Sequence, residues 1–543
     1  MAEFAAERRI LGHAEGWRVE KRPGETCKEA LWVLESGLLA PLSTVSAGHD
    51  HTLVRATAAV DVAAAAGAAA VAAAVAADAE GRKTEGRVFA FGSNTGEQLG
   101  LGESDEAVFC GWNEKEYGPE GDFVSHVCEA SPCEVLRLRD QRVVSVSAGW
   151  QHSVALTQGG RVLTWGCSTV MRGTIHERNC GLLGHGPVPA TFHMVAAPRP
   201  VLGFPRGTRV ALVVAADRHT VCVTAMGEVF SWGDGGEGLG HGDEEDQHAP
   251  RRVEALAGQR VVDVDCDMQI SVAVTSAGGL FAWGPRAEIV TPGPEGFKLS
   301  RGCSIPKQIA LPSGERIRRA SCSGARGFHI GAVDTRVLYT WGVGEYNRLG
   351  HGRETNQFLP RPVAALAGQR VATVSCGSLS TAALTEEGQL WTWGYDSYGK
   401  LGHHLPTQPK AYAEACAACP RNALEDDDAY QDRLSDVYLS LKVPEFHGEF
   451  PMRVTEMRAA DGEEEEEEAV REVSCGSSHT VMVTASGKVC TFGSGDHGRL
   501  GHGHVDEDGE EVQIDDADPR ASYTKLEMPL PCMKRETACV QDN

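Results

Sequence analysis

Apolar and polar residues alternate along this chain in short runs, not in helical periods. From Val143 it reads VVSVSAGWQHSVALTQGGRVLTWG: an alternating run, a small residue and Gly, a His, a second run, a Gly-centred turn, and a third run closed by Trp-Gly. Runs this short, rich in Val, Thr and aromatics and bounded by Gly, Asp and Ser, predict β-strands joined by tight turns. An irregular interlude and a Leu-Gly pair follow.

The same grammar recurs along nearly the whole chain, which is the mark of a repeat architecture. The aromatic-Gly pair marks seven copies, at Phe91-Gly92, Trp165-Gly166, Trp232-Gly233, Trp283-Gly284, Trp341-Gly342, Trp393-Gly394 and Phe492-Gly493. Leu-Gly follows in six of them, at Leu99, Leu183, Leu239, Leu349, Leu401 and Leu500; the fourth copy lacks it. A fourth strand per copy is signalled by Pro with an apolar residue three on, as at Pro132 to Val135, Pro250 to Val253, Pro306 to Ile309 and Pro451 to Val454. Four short antiparallel strands cannot bury both faces alone, whereas units arranged radially bury them against one another. The expected fold is all-β: a seven-bladed β-propeller of four-stranded antiparallel blades over residues 45–503. Insertions are expected at about 55–85, 103–131, 168–180, 287–304, 405–450 and 459–469, as loops that vary on a fixed scaffold.

The flanking segments are residues 1–44, with amphipathic pieces at Trp17 to Lys21 and Ala30 to Leu39, and the acidic stretch 504–543. Within the latter, 523–531 resembles an outer strand. One of the two is expected to complete a blade and so remove exposed strand edges.

Composition narrows the function classes. The 63 glycines suit a turn-rich β protein, and a net charge of −24 argues against a nucleic-acid groove, which needs clustered Lys and Arg. The acidic runs Glu425 to Asp428 and Glu463 to Glu468 read as solvated, or as docking points for a basic protein segment. The N-terminus has no apolar core of signal-peptide length. The Ala-rich stretch Val62 to Ala77 is shorter than the roughly 20 residues that span a bilayer. No membrane partner is expected, and the protein is placed inside the cell, in cytoplasm or nucleus.

Seventeen cysteines raise the question of metal or disulfides. Cys266, Cys322, Cys376 and Cys475 occupy the position held by Ala47, Ala148 and Ala215 in other copies, so the site wants a small buried residue. Cys416 and Cys419 have no second pair or His at zinc spacing. Neither metal nor cofactor is expected. His51, His152, His219 and His479 recur at one strand position and are expected to hydrogen-bond within the inner ring. His185, His241, His351 and His502 follow the Leu-Gly pairs and are repeat grammar. No nucleophile, base and orienting group converge, no phosphate loop appears, and an enzyme is not expected.

The residues AGHDHT at 47–52, AGWQHS at 148–153, CGSSHT at 475–480 and GEVFSWGDGGEGLGHG at 227–242 resemble the regulator of chromosome condensation repeat family. The resemblance covers over four fifths of the chain and implies a seven-bladed propeller. It specifies fold far better than function. The founding member exchanges guanine nucleotide on the Ran GTPase, using acids in the two variable positions before the repeat His and a hairpin projecting after one Trp-Gly. Here those pairs are His49-Asp50, Trp150-Gln151, Asp217-Arg218, Met268-Gln269, Ser378-Leu379 and Ser477-Ser478, so Asp50 and Asp217 are the carboxylates. The insertion 168–180, with Met171, Arg172, His176, Glu177 and Arg178, is expected to form a comparable hairpin. The family's ultraviolet-B photoreceptors need Trp and Arg before the His in consecutive blades, and only Trp150 fits. Its ubiquitin ligases carry a catalytic domain for which this chain has no room.

The reading that results is a non-catalytic propeller that binds a protein partner through loops on one face. The variable pairs form the contact surface, and Trp150 and Arg218 are its expected anchors. The alternative is a guanine-nucleotide exchange factor for a Ran-type small GTPase.

Overall fold

A computed structural model describes residues 44–56, 86–102, 107–108, 128–172, 176–187, 194–268, 270–293, 296–311, 316–324, 327–396, 399–403, 447–454, 468–501 and 524–525. Gln269, the Ala-rich stretch, Cys416, Cys419, the run at 425–428 and residues 1–43 lie outside them.

Seven antiparallel sheets follow one another around the ring, and we number these blades in chain order. The innermost strands are Val45–Ala47, Val143–Ala148, Val210–Ala215, Val261–Asp267, Arg319–Ser323, Val371–Cys376 and Val470–Cys475. The second strand begins at the repeat His position and the third carries the aromatic-Gly pair. The outer strands of blades 1 to 6 are Cys128–Glu134, Met194–Pro200, Gln247–Arg252, Gly296–Gln308, Gln357–Pro362 and His447–Arg453. In blade 7 the outer strand is Thr524–Lys525, which reaches Thr491 and Cys490 from the C-terminal stretch. Ala107–Val108 leaves blade 1 and adds a fifth strand to blade 2.

Aromatic-Gly and Leu-Gly recur because neighbouring blades meet there. Trp165, Trp232, Trp283 and Trp393 are fully buried. Each indole Nε1 donates to a loop carbonyl of the preceding blade: Gln98, Leu182, Gly238 and Arg348, at 2.7–3.0 Å. The loop glycine lies against that ring: a Cβ on Gly184 would come within 2.7 Å of Trp232 Nε1, and its φ is +67°. The glycine after the Trp is equally constrained. Gly233 has φ +122°, and a Cβ there would stand 2.7 Å from the Arg218 carbonyl oxygen.

The histidines stitch the inner ring. His51, His152, His219, His329 and His479 bond through Nε2 to Ser153, Thr220, Ser271, Thr381 and Thr52 of the next blade, at 2.7–3.1 Å. Ser153 Oγ gives its own proton to the Gln98 carbonyl, so His51 Nε2 is the donor of that pair. Burial pushes His51 and His219 down to about 4, and His152, His329 and His479 down to about 3. These rings are neutral hydrogen-bond links, not proton shuttles. His185, His241 and His351 bond the Thr or Ser of their own third strand.

One insertion differs from the sequence expectation. The stretch 287–304 is not a loop: the third and outer strands of blade 4, Leu280–Gly293 and Gly296–Gln308, run on as a paired ribbon from Glu288↔Arg301 to Gly293↔Gly296. It stands where the other blades place their Leu-Gly loop, which explains why that pair is missing from the fourth copy.

Candidate functional site

Antiparallel pairing decides which loops share an end of the ring. His152 pairs with Gly166 and His219 with Gly233, so each variable pair sits beside the exit of its own third strand. The backbone of the pair is fixed by that neighbour. The carbonyls of Asp50, Gln151, Arg218, Leu379 and Ser478 accept the N–H groups of Ser93, Cys167, Asp234, Tyr395 and Ser494, at 2.7–2.9 Å. The scaffold uses the main chain at these positions and leaves the side-chain identity open.

The side chains then divide. His49, Asp50, Trp150, Gln151, Asp217, Arg218, Met268, Ser477 and Ser478 are half-exposed at the mouth of the ring. Leu379 and the blade 5 residue Phe328 are buried at 6% and 4% exposure. Their neighbours Ser378 and Gly327 are half-exposed, so in blades 5 and 6 one residue of the pair is packed, whereas in blades 7, 1, 2 and 3 both are half-exposed.

Blades 7, 1 and 2 meet there in one cluster. His49 Nδ1 lies 2.8 Å from an Asp50 carboxylate oxygen, and Arg499 of blade 7 reaches the other oxygen at 3.2 Å. The His49 ring stacks at a tilt on Trp150, centroids 5.4 Å apart. Burial acts to raise Asp50, but the His49 bond and the Arg499 charge outweigh it and hold the carboxyl below its usual range. Burial acts to lower His49, and the bond and charge of Asp50, with the charge of Asp217, outweigh that in turn. Lys400 Nζ donates to the Ser477 carbonyl at 3.3 Å, tying blade 6 to blade 7 at the same mouth.

Asp217 behaves in the opposite way. Burial and the charge of Asp267 push its carboxyl up to about 7. Its neighbour Arg218 is turned to Asp234, 3.4 Å away. Beyond them the blade 3 loop carries Asp243, Glu244, Glu245 and Asp246, with Asp243 paired to Arg251 at 2.8 Å.

Among the described residues, two hairpins leave the ring at this same end. Thr169–Arg172 and His176–Asn179 pair from His176↔Arg172 to Asn179↔Thr169 directly after the third strand of blade 2. Met171, Arg172, His176, Glu177 and Arg178 thus belong to a two-stranded ribbon beside Trp150 and Gln151. The second is the longer blade 4 ribbon. Sequence reading missed it because the missing Leu-Gly made the fourth copy look degenerate; the signal was the apolar EIV and FKL runs around a PGPEG turn. It missed His329 as well, since Ile330 stands where the other histidines are followed by Thr or Ser. Among the described residues, no group of three His, Cys, Asp or Glu is arranged to hold a metal ion, and no helix is long and apolar enough to cross a membrane.

Comparison with known proteins fits this geometry. Human E3 ubiquitin-protein ligase HERC2 is 32% identical over 323 residues, 59% of this chain but only 6% of HERC2, so the match is to one small part of that protein. Ultraviolet-B receptor UVR8 of Arabidopsis thaliana is 28% identical over 399 residues, 73% of this chain and 75% of UVR8. Among solved structures, human WBSCR16 superposes with a TM-score of 0.54 at 21% identity, over 82% of this chain and 87% of that one. Yeast RCC1 (Prp20), solved with Kap60, superposes with a TM-score of 0.55 at 16% identity, over 81% and 83%. At those identities the structures speak for the fold alone. The family model described as RCC1-like domain matches residues 87–528, and the chain belongs to that family.

Proposed function

We propose that this protein is a non-catalytic propeller that binds a protein partner through the end of the ring carrying the variable pairs and the two hairpins. One observation carries the reading: among the described residues, the variable pairs and both projecting ribbons lie at one end of the ring. Trp150 supplies a rigid aromatic surface backed by His49, and Arg218 supplies a cation beside acids; such residues anchor interfaces. The acids of blade 3 suit a basic protein segment. Prp20p of Saccharomyces cerevisiae has been studied for its binding to Gsp1p and histones, which supports a protein ligand for a ring of this kind. A photo-crosslinking residue at position 150 or 218 is expected to capture the partner. The same residue at position 226, on an exposed turn at the opposite end, is expected to capture none. Capture from position 226 alone would overturn the reading.

A second reading, nucleotide exchange on a Ran-type GTPase, is favoured by one arrangement: Asp50, Asp217 and the 169–179 hairpin share the same end of the ring. Against it, Asp50 is already engaged by His49 and Arg499. Release of labelled GDP from such a GTPase decides the matter. Acceleration that disappears in Asp217→Ala supports exchange; no acceleration by the folded chain removes it.

A further inference from the structure

The outer strands form the rim of the ring. In blades 1 to 6 the residue after the outer-strand Pro pairs with the same position of the third strand, so the residue before that Pro can be compared around the ring. It is Ser131, Ala197 and Ala249 in blades 1 to 3, but Ile305, Leu359 and Phe450 in blades 4 to 6. Those three are 43%, 39% and 52% exposed, and Phe358 and Met452 on the same strands are exposed as well. Phe450 of blade 6 reaches the Leu-Gly loop of blade 5, since a Cβ on Gly352 would run into its ring. Half of the rim is thus apolar where the other half carries small residues.

Charge changes at the same place. In blade 3 the loop residue Asp243 pairs with Arg251 of the outer strand. The corresponding residues of blade 5 are Arg353, after the same Gly-His-Gly, and Arg361, after the same Pro. Two exposed cations stand where blade 3 has an ion pair, and among the described residues neither has an ion-pair partner. Exposed apolar side chains beside two such cations, in a chain of net charge −24, suit an acidic and apolar occupant. Pro360, Pro362 and Pro451 interrupt the free strand edges, so the occupant does not join as an added strand.

The chain carries such a segment and tethers it here. Residues 404–446, outside the described residues, connect the blade 6 loop to His447, the first residue of the strand that bears Phe450 and Met452. Their sequence predicts one amphipathic helix. Tyr430, Leu434, Val437, Tyr438 and Leu441 recur at i, i+4, i+7, i+8 and i+11, Glu425 to Asp428 stand at its head, and Pro444 closes it. We propose that this segment packs back on the rim of blades 5 and 6, its apolar stripe on Phe358, Leu359, Phe450 and Met452 and its acidic run on Arg353 and Arg361. A helix over 428–442 is about 22 Å long, and packed sheets lie about 10 Å apart, so it crosses both outer strands. The stretch from Leu441 to His447 reaches at most about 20 Å, which keeps the helix beside these strands. The contact uses the rim and none of the variable pairs.

The test places a benzophenone side chain at position 358 of the full chain, with position 251 of the blade 3 rim as control, and maps crosslinks by mass spectrometry after illumination. Position 359 serves if the first variant does not fold. Intramolecular links from position 358 to residues 425–442, and none to them from position 251, are expected. Arg353→Glu combined with Arg361→Glu puts repulsion in place of two exposed ion pairs and is expected to cut the yield at least about fivefold. Links from the blade 5 probe only to a second copy, to another protein or to other parts of the chain overturn the proposal. Absence of links does so too, as does a yield that charge reversal leaves unchanged.

Discussion

The position directly ahead of the second strand meets opposite fates around the ring. In blades 5 and 6, Phe328 and Leu379 are packed into the wall between blades, while in blades 1, 2, 3 and 7 the corresponding residues stand half-exposed at the mouth. The backbone is the same in both regions, since Phe328 and Leu379 carbonyls accept Val343 and Tyr395 N–H groups just as Asp50 and Gln151 carbonyls accept theirs. A repeat protein can thus spend one strand position on stability in part of the ring and on recognition in the rest.

Truncation separates the two regions most sharply. Phe328→Ala removes a side chain that packs with Ile330 and Trp341 in one core cluster, and a cost of about 3–5 kcal/mol of stability is expected. A denaturant midpoint unchanged from the parent would dissolve the distinction. The same cut in the other region moves a different quantity. Trp150→Ala is expected to change stability by no more than about 1 kcal/mol. Partner affinity should fall by about 2 kcal/mol, near thirtyfold, as read by titration calorimetry.

The smallest expected effect concerns the knot that orients Trp150. Asp50 is held below its ordinary value, so its contribution is complete above about pH 4 and lost as pH falls towards its folded value. His49 is raised, so its contribution is complete below about pH 6.5 and lost as pH rises through its folded value. The His49–Asp50 link is therefore strongest between those limits. Relative to the Leu379 turn, protection of the His49 amide, which donates to the Gly149 carbonyl at 3.1 Å, should decline above the upper limit. Arg499→Gln should weaken the knot at every pH. An equal response at both turns would mean that the knot does not hold the mouth.

Much of this was legible in the sequence because the repeat repeats its physics. Aromatic-Gly, Leu-Gly and the His mark places where one blade must fit the next, so their spacing reveals blade number and strand order. The links that differ from the repeat were harder to read. The DVDCD stretch from Asp263 looks like a solvated strand face, and its alternation gave no sign that the acids face another blade. The 287–304 ribbon looked like a loop because its Pro and Gly residues cluster at the tip. At the mouth, sequence named the variable pairs, yet which of them are packed depends on the neighbouring blade and is visible only in three dimensions. Thr524–Lys525 pairs with blade 7, within the stretch whose pattern resembles an outer strand, although sequence alone left a pairing by residues 1–44 equally open.

The central claim is that recognition lives at the end of the ring bearing the variable pairs. The most direct test measures the dissociation constant of the crosslinked partner for the parent chain, for Trp150→Ala with Arg218→Ala, and for Met226→Ala at the opposite end. The account predicts a loss of at least about thirtyfold for the double variant and parent affinity for Met226→Ala. Parent affinity in the double variant, with loss confined to Met226→Ala, would contradict it.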